Sequence, residues 1–382
     1  MSHIALIIPG LDRIGGAERQ VILLAKGLRR RGWRVSVVAL SGKGGDAAGE
    51  LTAADIEFLS LGMRKGLADP RGWFRLNRWL RREAPEAVHA HLPHAAWMAR
   101  WSRLAAPVRV VVDTLHSCST GTQGRQLGYR WSNWLTDRVT AVSQAAADAH
   151  HLAAMVAEGK LTVVPNGVDA NVWRPDAAVR TAVRSELGLD HEFLWLAAGR
   201  LEKVKDYPTL LSAMAHVPEP ATLSIAGGGP LQDELQRISA RLGHEKRVRF
   251  LGFQPDLSRW MRAADGFVLS SRCEGLPMGL LEAAACALPA VATDVPGTPE
   301  VLVDGETGWL SPAGDATALG ETMTRMMRTP LEQRRAMGEQ ARQLVIERFS
   351  MEAVLDSWEA LYRDLLARNL KPLRWGCADR YA

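Results

Sequence analysis

The sequence predicts an α/β fold built from two doubly wound parallel-sheet domains that face a cleft. Apolar runs typical of strands alternate with stretches of helical periodicity, as in HIALIIP, ERQVILLAKGLRRRG and RVSVVAL. The alternation stops at a turn-forming PNGVD segment and restarts with FLWLAAGR. A chain of 382 residues, 47% of them hydrophobic, is long enough to bury two cores.

The domain boundary is expected between Val168 and Pro175, where the turn residues cluster. Residues 1–168 then form the N-terminal domain and residues 169–350 the C-terminal domain. Residues 351–370 are expected to form a helix that packs back on the N-terminal domain. In sheets of this kind ligands bind beyond the carboxyl ends of the strands, so the loops that leave those ends are the places to look for a site.

Cysteine usage and apolar patterning indicate a cytoplasmic protein. The four cysteines, Cys118, Cys273, Cys286 and Cys377, are scattered without a CxxC pair, which predicts neither a disulfide framework nor a zinc site. The opening MSHIALIIPG has the pattern of a first strand rather than of a signal peptide. No apolar run is long enough to span a bilayer.

Charge is divided unevenly along the chain. Residues 1–168 hold 22 basic and 13 acidic residues, a net charge of +9, whereas the remaining residues have a net charge of −4. The N-terminal half is therefore expected to face something anionic. The chain carries no zinc-finger or RNP-like motif, so nucleic acid is not an expected partner.

The segment EGLPMGLLEAAA carries two acids, Glu274 and Glu282, eight positions apart. On one unbroken helix they would lie about 80° apart around the axis and about 12 Å apart along it, too far to share a proton. Pro277 is typical of a helix start. We therefore expect Glu274 in the loop before the helix and Glu282 in the second helical turn.

The first turn of this helix is a candidate anion site. The amides of Met278, Gly279 and Leu280 are expected to point out of the positive helix end, and Gly279 permits close approach. With a diphosphate there, the two acids would reach the groups on either side of it. The alternative is that both are ordinary surface carboxylates, although the small residues around Glu282 place it on a buried face where an acid needs a partner.

Two cations follow a predicted strand in AAGRLEKVKDYPTLL. Arg200 and Lys205 lie between the end of that strand and the helix expected after Pro208. An arginine and a lysine on such a loop can neutralise a diphosphate and so replace a metal. The alternative is an ordinary solvated basic loop.

Two glycine-rich turns follow predicted strands. Gly15 and Gly16 open the first helix, where backbone amides can close on an anion, and a plain strand-to-helix turn is the alternative. The segment does not match GxGxxG and no acid follows about 20 residues later, which argues against a nicotinamide fingerprint. The run Gly227, Gly228 and Gly229 lacks the Lys-Ser/Thr of a phosphate-binding P-loop and is interpreted as a tight turn.

Histidines also lie at predicted strand ends. His116 follows VVVDTL and is expected to face the cleft, while His91 and His94 follow another strand. A structural role is the alternative for each. In RGWFRLNRWLRRE, arginines and apolar residues form separate helical stripes, which is compatible with a helix lying on anionic lipid or with one packed on its own sheet.

Taken together, these segments resemble the retaining nucleotide-sugar glycosyltransferases of family 4, which have the GT-B architecture of two Rossmann-like domains. The matching stretches run from GGAER through TLHS, VPNGVD, GRLEKVKDYPTLL and AGGGPLQDEL to SSRCEGLPMGLLEAAACALPAVATDVPGTPEVLVDGETGWL. They cover nearly all of the chain to about residue 360, and the last block is the most specific.

The resemblance implies roles for individual residues. Glu274 would contact the donor sugar, Glu282 the ribose, and His116 would lie by the sugar. The implied catalytic residues are Glu274, Arg200, Lys205 and His116. The implied donor-binding residues are Gly15, Gly16, Arg200, Lys205, Glu274, Met278, Gly279, Leu280 and Glu282. Many members have Phe-Gly where this chain has Leu276-Pro277, and proline has no amide to donate, so the identity of the sugar is not carried over.

The implied function is transfer of a sugar from a nucleoside diphosphate sugar, UDP-sugar in preference to GDP-sugar, to a glycan or lipid-linked acceptor in polysaccharide or glycolipid synthesis. The N-terminal domain would bind the acceptor and the C-terminal domain the donor, without a metal or other cofactor. A peripheral contact with the inner face of the membrane through the basic N-terminal domain is a further hypothesis. The alternatives are a non-catalytic sugar-nucleotide-binding or assembly subunit and a sugar-nucleotide epimerase of the same fold.

Overall fold

The chain divides at Gly167 and again at Ser350 into two units, each with its own parallel sheet. The computed structural model describes residues 2–12, 14–64, 69–157, 159–189 and 192–369. Unit 1 comprises the chain up to Gly167 together with the helix that begins at Met351, and unit 2 comprises Val168–Ser350. The predicted fold class, two α/β units with parallel sheets, is confirmed.

Unit 1 contains a seven-stranded parallel sheet in the order β3-β2-β1-β4-β5-β6-β7. Its strands are β1 His3–Ile8, β2 Arg34–Ala39, β3 Glu57–Ser60, β4 Ala87–His91, β5 Val110–Leu115, β6 Arg138–Ala141 and β7 Leu161–Val163. Its helices are α1 Gly16–Arg30, α2 Gly45–Ala53, α3 Pro70–Glu83, α4 Pro93–Ser102, α5 Gln123–Ser132, α6 Gln144–Leu152 and α14 Met351–Arg368. The central strands are buried over their whole length because helices cover both faces of the sheet.

Unit 2 contains a six-stranded sheet in the order β10-β9-β8-β11-β12-β13. Its strands are β8 Phe193–Ala198, β9 Ala221–Ala226, β10 Val248–Gly252, β11 Gly266–Leu269, β12 Ala290–Thr293 and β13 Gly308–Ser311. Its helices are α7 Ala177–Leu187, α8 Tyr207–Ala213, α9 Gln232–Arg241, α10 Leu257–Ala263, α11 Met278–Ala285, α12 Ala316–Arg328 and α13 Leu331–Phe349. The strand order reverses between β8 and β11, which places the loops after these two strands side by side.

The last helix of the described chain, α14, packs on α1 of unit 1. A Cβ added at Gly27 would lie 2.4 Å from a methyl group of Leu355, so a larger residue there would require Leu355 to move. Arg31 at the end of α1 donates to Asp356 and Glu352, each at 2.6 Å. Residue 370, the end of the helix expected over residues 351–370, lies outside the described residues.

Helix starts differ by one or two residues from those expected. Pro208 is the second residue of α8 rather than the residue before it, and Pro277 caps α11 rather than belonging to it. In α3, Leu76 and Leu80 are buried in the core of unit 1, so the apolar stripe of this basic helix covers the sheet and is not free to insert into lipid. Among the described residues, no helix combines the length and apolar character needed to cross a bilayer.

A buried ion pair joins α4 to the middle of the unit 1 sheet. Arg100 and Asp113 are both fully buried, and they form a two-pronged contact in which Nε donates to Oδ1 at 3.0 Å and Nη2 to Oδ2 at 2.9 Å. Ser132 accepts a further bond from Arg100 at 2.8 Å, and Thr136 donates to Asp113 at 2.9 Å. Each charge is therefore stabilised only while its partner is present.

We predict that Asp113→Ala lowers the stability of unit 1 by about 3–5 kcal/mol, because it leaves a buried guanidinium without a counter-charge. Hydrogen exchange of the β5 amides measures this loss locally. Asp364→Ala, which removes the partner of Arg368 in an ion pair of the same unit whose side chains are 43% and 67% exposed, is the control and should cost less than about 1 kcal/mol. Equal losses in the two variants would contradict the prediction.

Candidate active site

Two loops at the carboxyl edge of the unit 2 sheet are bound together. The loop after β8 and the loop after β11 share two hydrogen bonds: the amide of Arg272 donates to Val204 O, and Ser270 Oγ donates to Lys205 O, each at 2.8 Å. Because their strands are neighbours, the two loops form one surface beyond the sheet. This surface carries most of the predicted site residues.

Glycines allow a third loop to pack against this surface. A Cβ added at Gly227 would lie 2.0 Å from Gly199 O, and one added at Gly229 would lie 2.5 Å from Leu201 O. The amide of Leu201 donates to Gly228 O at 3.1 Å. The glycine run therefore serves close backbone packing, as its interpretation as a tight turn implies.

Lys205 and Glu274 meet directly on this surface. Lys205 Nζ lies 2.6 Å from Glu274 Oε1, and Ser271 Oγ donates to the same oxygen at 2.5 Å. Glu274 is only 9% exposed, so its charge depends on these partners. Burial, together with the nearby charge of Glu274, raises the pKa of Tyr207 above its usual range.

The helix α11 begins beside the end of β8. A Cβ added at Gly279 would lie 3.5 Å from Ala198 O, which places the first turn of the helix next to the loop that carries Lys205. Glu274 precedes α11 and Glu282 lies half-buried in its second turn, the arrangement expected from their spacing. Burial and the charge of Glu282 raise the pKa of the Cys286 thiol to about 12.

One of the three amides expected to face an anion is already used. The amide of Leu280 donates to Pro277 O at 3.0 Å, because the carbonyl of a capping residue accepts the first bonds of its helix. An anion at the helix start would compete with this carbonyl for the Leu280 amide, and the role of Leu280 in donor binding stays a prediction. The roles expected for the amides of Met278 and Gly279, the first two residues of the helix, stay predictions as well.

Arg200 takes a different position from Lys205. Its guanidinium lies 2.6 Å from Glu202, and its side chain is 64% exposed. Arg272, which the sequence did not single out, pairs with Asp206 at 2.7 Å and is 60% exposed. The site surface therefore carries two exposed arginines, Arg200 and Arg272, beside the more enclosed Lys205. The position of Arg272 directly after a predicted strand is the sequence feature that could have identified it as a site residue.

In unit 1, Gly15 and Gly16 lie at the start of α1. Gly15 is the capping residue, and its amide donates to Glu18 Oε2 at 3.0 Å. Gly15 and Glu18 have the spacing of a capping box, in which the acid three residues later binds the cap amide. An anion at this turn would compete with Glu18 for the Gly15 amide.

His116, which is half-buried, contacts a pair of buried histidines at the carboxyl ends of β4 and β5. His116 Nε2 lies 3.0 Å from His91 Nδ1, and the rings of His91 and His89 are 4.0 Å apart. His89 also contacts Tyr362 and Thr114, each at 2.6 Å. His91 is therefore part of a polar cluster and not an isolated structural histidine.

A small cavity lies against this cluster. Its volume is about 10 Å³, about the size that one water molecule needs, and His91, His116 and Asn166 are among its lining residues. His91 Nε2 and His116 Nδ1 are buried without a hydrogen-bond partner in the described part of the chain. Two of the residues that line this cavity thus each carry a ring nitrogen without a partner among the described residues.

Burial keeps the three histidines neutral. It lowers the pKa of His116 to about 4 and those of His89 and His91 well below 6.5. Between pH 6.5 and about 4 the unfolded chain therefore binds more protons than the folded chain, so the free energy of unfolding falls as pH falls.

We predict that unit 1 loses stability as the pH is lowered from 6.5 to 4, and that His116→Asn makes this loss smaller. Urea denaturation at several pH values measures the slope, with hydrogen exchange reporting on unit 1 separately. His151→Ala, which removes an exposed histidine of the same unit, is the control and should leave the slope unchanged. If His116→Asn left the dependence of the free energy of unfolding on pH unchanged, His116 would not be a cause of the acid-induced loss of stability.

The site of unit 2 has the chemistry of an anion receptor. It combines a lysine, two exposed arginines, the first turn of a helix and a buried carboxylate. Such a surface stabilises phosphate charge without reorganising, and it orients a polar group beside the carboxylate. In the described ranges, no three His, Cys, Asp or Glu side chains are grouped so as to hold a metal ion.

Comparison with known families gives two matches that together span most of the chain. Residues 14–172 match the model of Glycosyltransferase Family 4, and residues 179–344 match that of Glycosyl transferases group 1. The boundary between the two matches falls close to the division between the units.

Individual proteins give the same result. The chain is 30% identical over 296 residues to N-acetyl-alpha-D-glucosaminyl L-malate synthase of Bacillus anthracis, covering 75% of this chain and 76% of that protein. It is 24% identical to an Escherichia coli UDP-Gal:alpha-D-GlcNAc-diphosphoundecaprenol alpha-1,3-galactosyltransferase, covering 79% and 81%.

The fold of a solved structure agrees with these matches. Anabaena Alr3699/HepE, crystallised with UDP and glucose, superposes with a TM-score of 0.84 at 23% identity, covering 94% of this chain and 99% of that one. With the sequence matches, this likeness identifies the protein: the chain is a GT-B glycosyltransferase and belongs to glycosyltransferase family 4.

Proposed function

We propose that this protein is a retaining, metal-independent glycosyltransferase that moves a sugar from UDP-sugar to a glycan or lipid-linked acceptor. The observation that carries the proposal is the contact between Lys205 and the buried Glu274 at the carboxyl edge of the unit 2 sheet. A nucleoside diphosphate sugar has a charged diphosphate next to a polar ring. The site holds a cation and a carboxylate at hydrogen-bond distance from each other. The cation can therefore bind the diphosphate while the carboxylate binds the sugar ring.

In this proposal the diphosphate replaces Glu274 as the partner of Lys205. The lysine side chain is 23% exposed, so it is not fully enclosed by the protein. A diphosphate carries more negative charge than the single carboxylate of Glu274. The positive end of the helix α11 would stabilise that charge further. Glu274 keeps its bond from Ser271 and becomes available to accept hydrogen bonds from the hydroxyls of the sugar.

The proposed reaction breaks the bond between the anomeric carbon and the phosphate oxygen. Negative charge grows on the departing diphosphate and positive charge on the sugar ring. Lys205, Arg200 and the amides at Met278 and Gly279 stabilise the leaving group, which is the part that a divalent metal plays in other transferases. The acceptor hydroxyl forms its new bond on the same face, and its proton passes to the departing phosphate.

Two relatives support the choice of substrates. The Escherichia coli relative is named as using UDP-Gal and a diphosphoundecaprenol-linked sugar, and the Anabaena structure contains UDP. We therefore propose UDP as the nucleotide and a lipid-linked or polymeric glycan as the acceptor. Glu282 would bind the ribose, while Gly15, Gly16 and His116 of unit 1 would serve the donor in the ways that the family resemblance implies.

We predict that Lys205→Ala weakens UDP binding about 10–100-fold and lowers turnover at least as much, because a charge-assisted contact to the leaving group is lost. Calorimetry with UDP and release of UDP from UDP-sugar measure the two effects. Lys203→Ala is the matched control, since Lys203 lies in the same loop but is exposed and two residues away. EDTA should leave turnover unchanged, and proton NMR of the product should show the anomeric configuration of the donor.

Lys203→Ala and Lys205→Ala variants with equal activity would contradict the assignment of Lys205. Normal UDP binding by the wild type without transfer to any acceptor would instead favour a non-catalytic sugar-nucleotide-binding subunit.

We predict a different result for Glu274→Gln. This variant should bind UDP at least as tightly as the wild type, because Lys205 no longer has a competing carboxylate, yet turnover should fall about 100-fold or more because the sugar loses its orienting acceptor. Calorimetry and turnover measured side by side separate the two effects. Weaker UDP binding in Glu274→Gln would contradict the proposed exchange of partners.

A further inference from the structure

Two adjacent helices of unit 1 carry large aromatic side chains on their outward faces. We define the tryptophan face as Trp97 and Trp101 of α4, Leu127 and Trp131 of α5, and Trp134 in the 3₁₀ turn that follows. Their exposed fractions range from 39% for Trp101 to 78% for Trp131. Five large apolar side chains exposed together are unusual, because single exposed apolar residues are common but contiguous patches mark interaction sites.

The two helices that carry these side chains lie against each other. The rings of Trp97 and Trp101 are 6.5 Å apart on successive turns of α4. A Cβ added at Gly128 of α5 would lie 2.2 Å from the Trp97 ring, so this ring lies directly over α5. Leu127 immediately precedes Gly128, and Trp131 follows Leu127 one helical turn later. The glycine thus closes the gap between the two helices.

The tryptophans of these two helices lie on their outward faces. The inward face of α4 carries Ala95, Ala96 and the fully buried Arg100, while its tryptophans point outward. In α5, Tyr129 and Ser132 are buried whereas Trp131 is 78% exposed. Other side chains of the same helices thus already face the core of unit 1, and the core does not explain the outward tryptophans.

The surroundings of the tryptophan face are basic. Between residues 93 and 136 the only acidic residue is Asp113, which is fully buried against Arg100. Arg125 and Arg130 of α5 are exposed, and Arg130 lies one turn from Leu127 and Trp134 on the same stripe. This segment therefore exposes arginines next to its aromatic residues, and it exposes no carboxylate.

The neighbouring helix α3 adds further positive charge. Arg81 of α3 donates to Ala105 O, just after α4, at 2.7 Å, so the two helices lie side by side. Arg71, Arg75 and Arg78 of α3 are exposed, although the apolar stripe of this helix is buried. The basic helix therefore borders the tryptophan face without itself offering an apolar surface of comparable size.

We propose that the tryptophan face docks unit 1 on an anionic phospholipid surface. Tryptophan rings settle at the level of the lipid headgroups, where an apolar ring and a polar N–H are both accommodated. Arginines bind lipid phosphate, and each basic residue near an anionic leaflet adds to the attraction. A protein partner of opposite charge or a second copy of this chain would also cover an apolar face, but a second copy would bring arginine against arginine.

The docking surface rests on the proposed function, because a lipid-linked acceptor has its reacting sugar at the membrane surface. The tryptophan face belongs to the same unit as the histidine cluster, and α4 begins two residues after His91 at the end of β4. Docking through this face would hold unit 1 where such an acceptor is presented. The donor site of unit 2 is not required for docking itself.

The test is flotation of the full chain with vesicles of phosphatidylcholine, with and without phosphatidylglycerol. The wild type should bind the vesicles that contain phosphatidylglycerol, and higher salt should weaken binding. The double variant Trp131→Ser and Trp134→Ser should bind at least about 10-fold more weakly, because two exposed rings no longer enter the interface. Leu152→Ser combined with Leu331→Ser, which removes exposed apolar residues elsewhere, is the matched control and should bind like the wild type.

Equal binding by the two double variants would overturn the proposal, as would a wild type that binds neither kind of vesicle. Sedimentation velocity provides a further test: a dimer of the wild type that the tryptophan variant loses would assign the face to a second copy of the chain. Calorimetry with UDP is run on every variant. Vesicle binding without UDP binding would count against the proposed function alone, and UDP binding without vesicle binding against the docking surface alone.

Discussion

A buried carboxylate needs a positive partner, and in unit 2 this requirement organises the site. Glu274 is 9% exposed and is held by Lys205 at 2.6 Å and Ser271 at 2.5 Å. These contacts can form only if the loops after β8 and β11 lie together, which their hydrogen bonds and the neighbouring glycine run ensure. The pair that stabilises the carboxylate is thus also the pair that we propose the donor separates.

Unit 1 treats buried charge differently. Arg100 of α4 and Asp113 of β5 compensate each other's charge on the inner side of α4, whereas the three histidines remain neutral. The tryptophans of α4 lie on its outer side, where the core of unit 1 does not bury them. The polarity of this helix is therefore evidence about a partner as well as about stability.

Much of the fold and part of the site could be predicted from the sequence. The alternation of strands and helices indicated two parallel sheets, and the eight-position spacing of Glu274 and Glu282 placed the first in a loop and the second in a helix. Backbone details were not predictable in this way: the Leu280 amide binds Pro277, and the Gly15 amide binds Glu18. The contact of Lys205 with Glu274 depends on strand order, which spacing along the chain does not specify.

The central claim is that, when UDP-sugar binds, its diphosphate replaces Glu274 as the ion-pair partner of Lys205. The most direct measurement is a crystal structure of the protein with UDP-sugar. We predict that Lys205 Nζ will lie within hydrogen-bond distance of the diphosphate and beyond ion-pair distance from Glu274 Oε1, with the carboxylate on the sugar hydroxyls. A diphosphate bound elsewhere, with the Lys205 to Glu274 contact intact, would contradict the account.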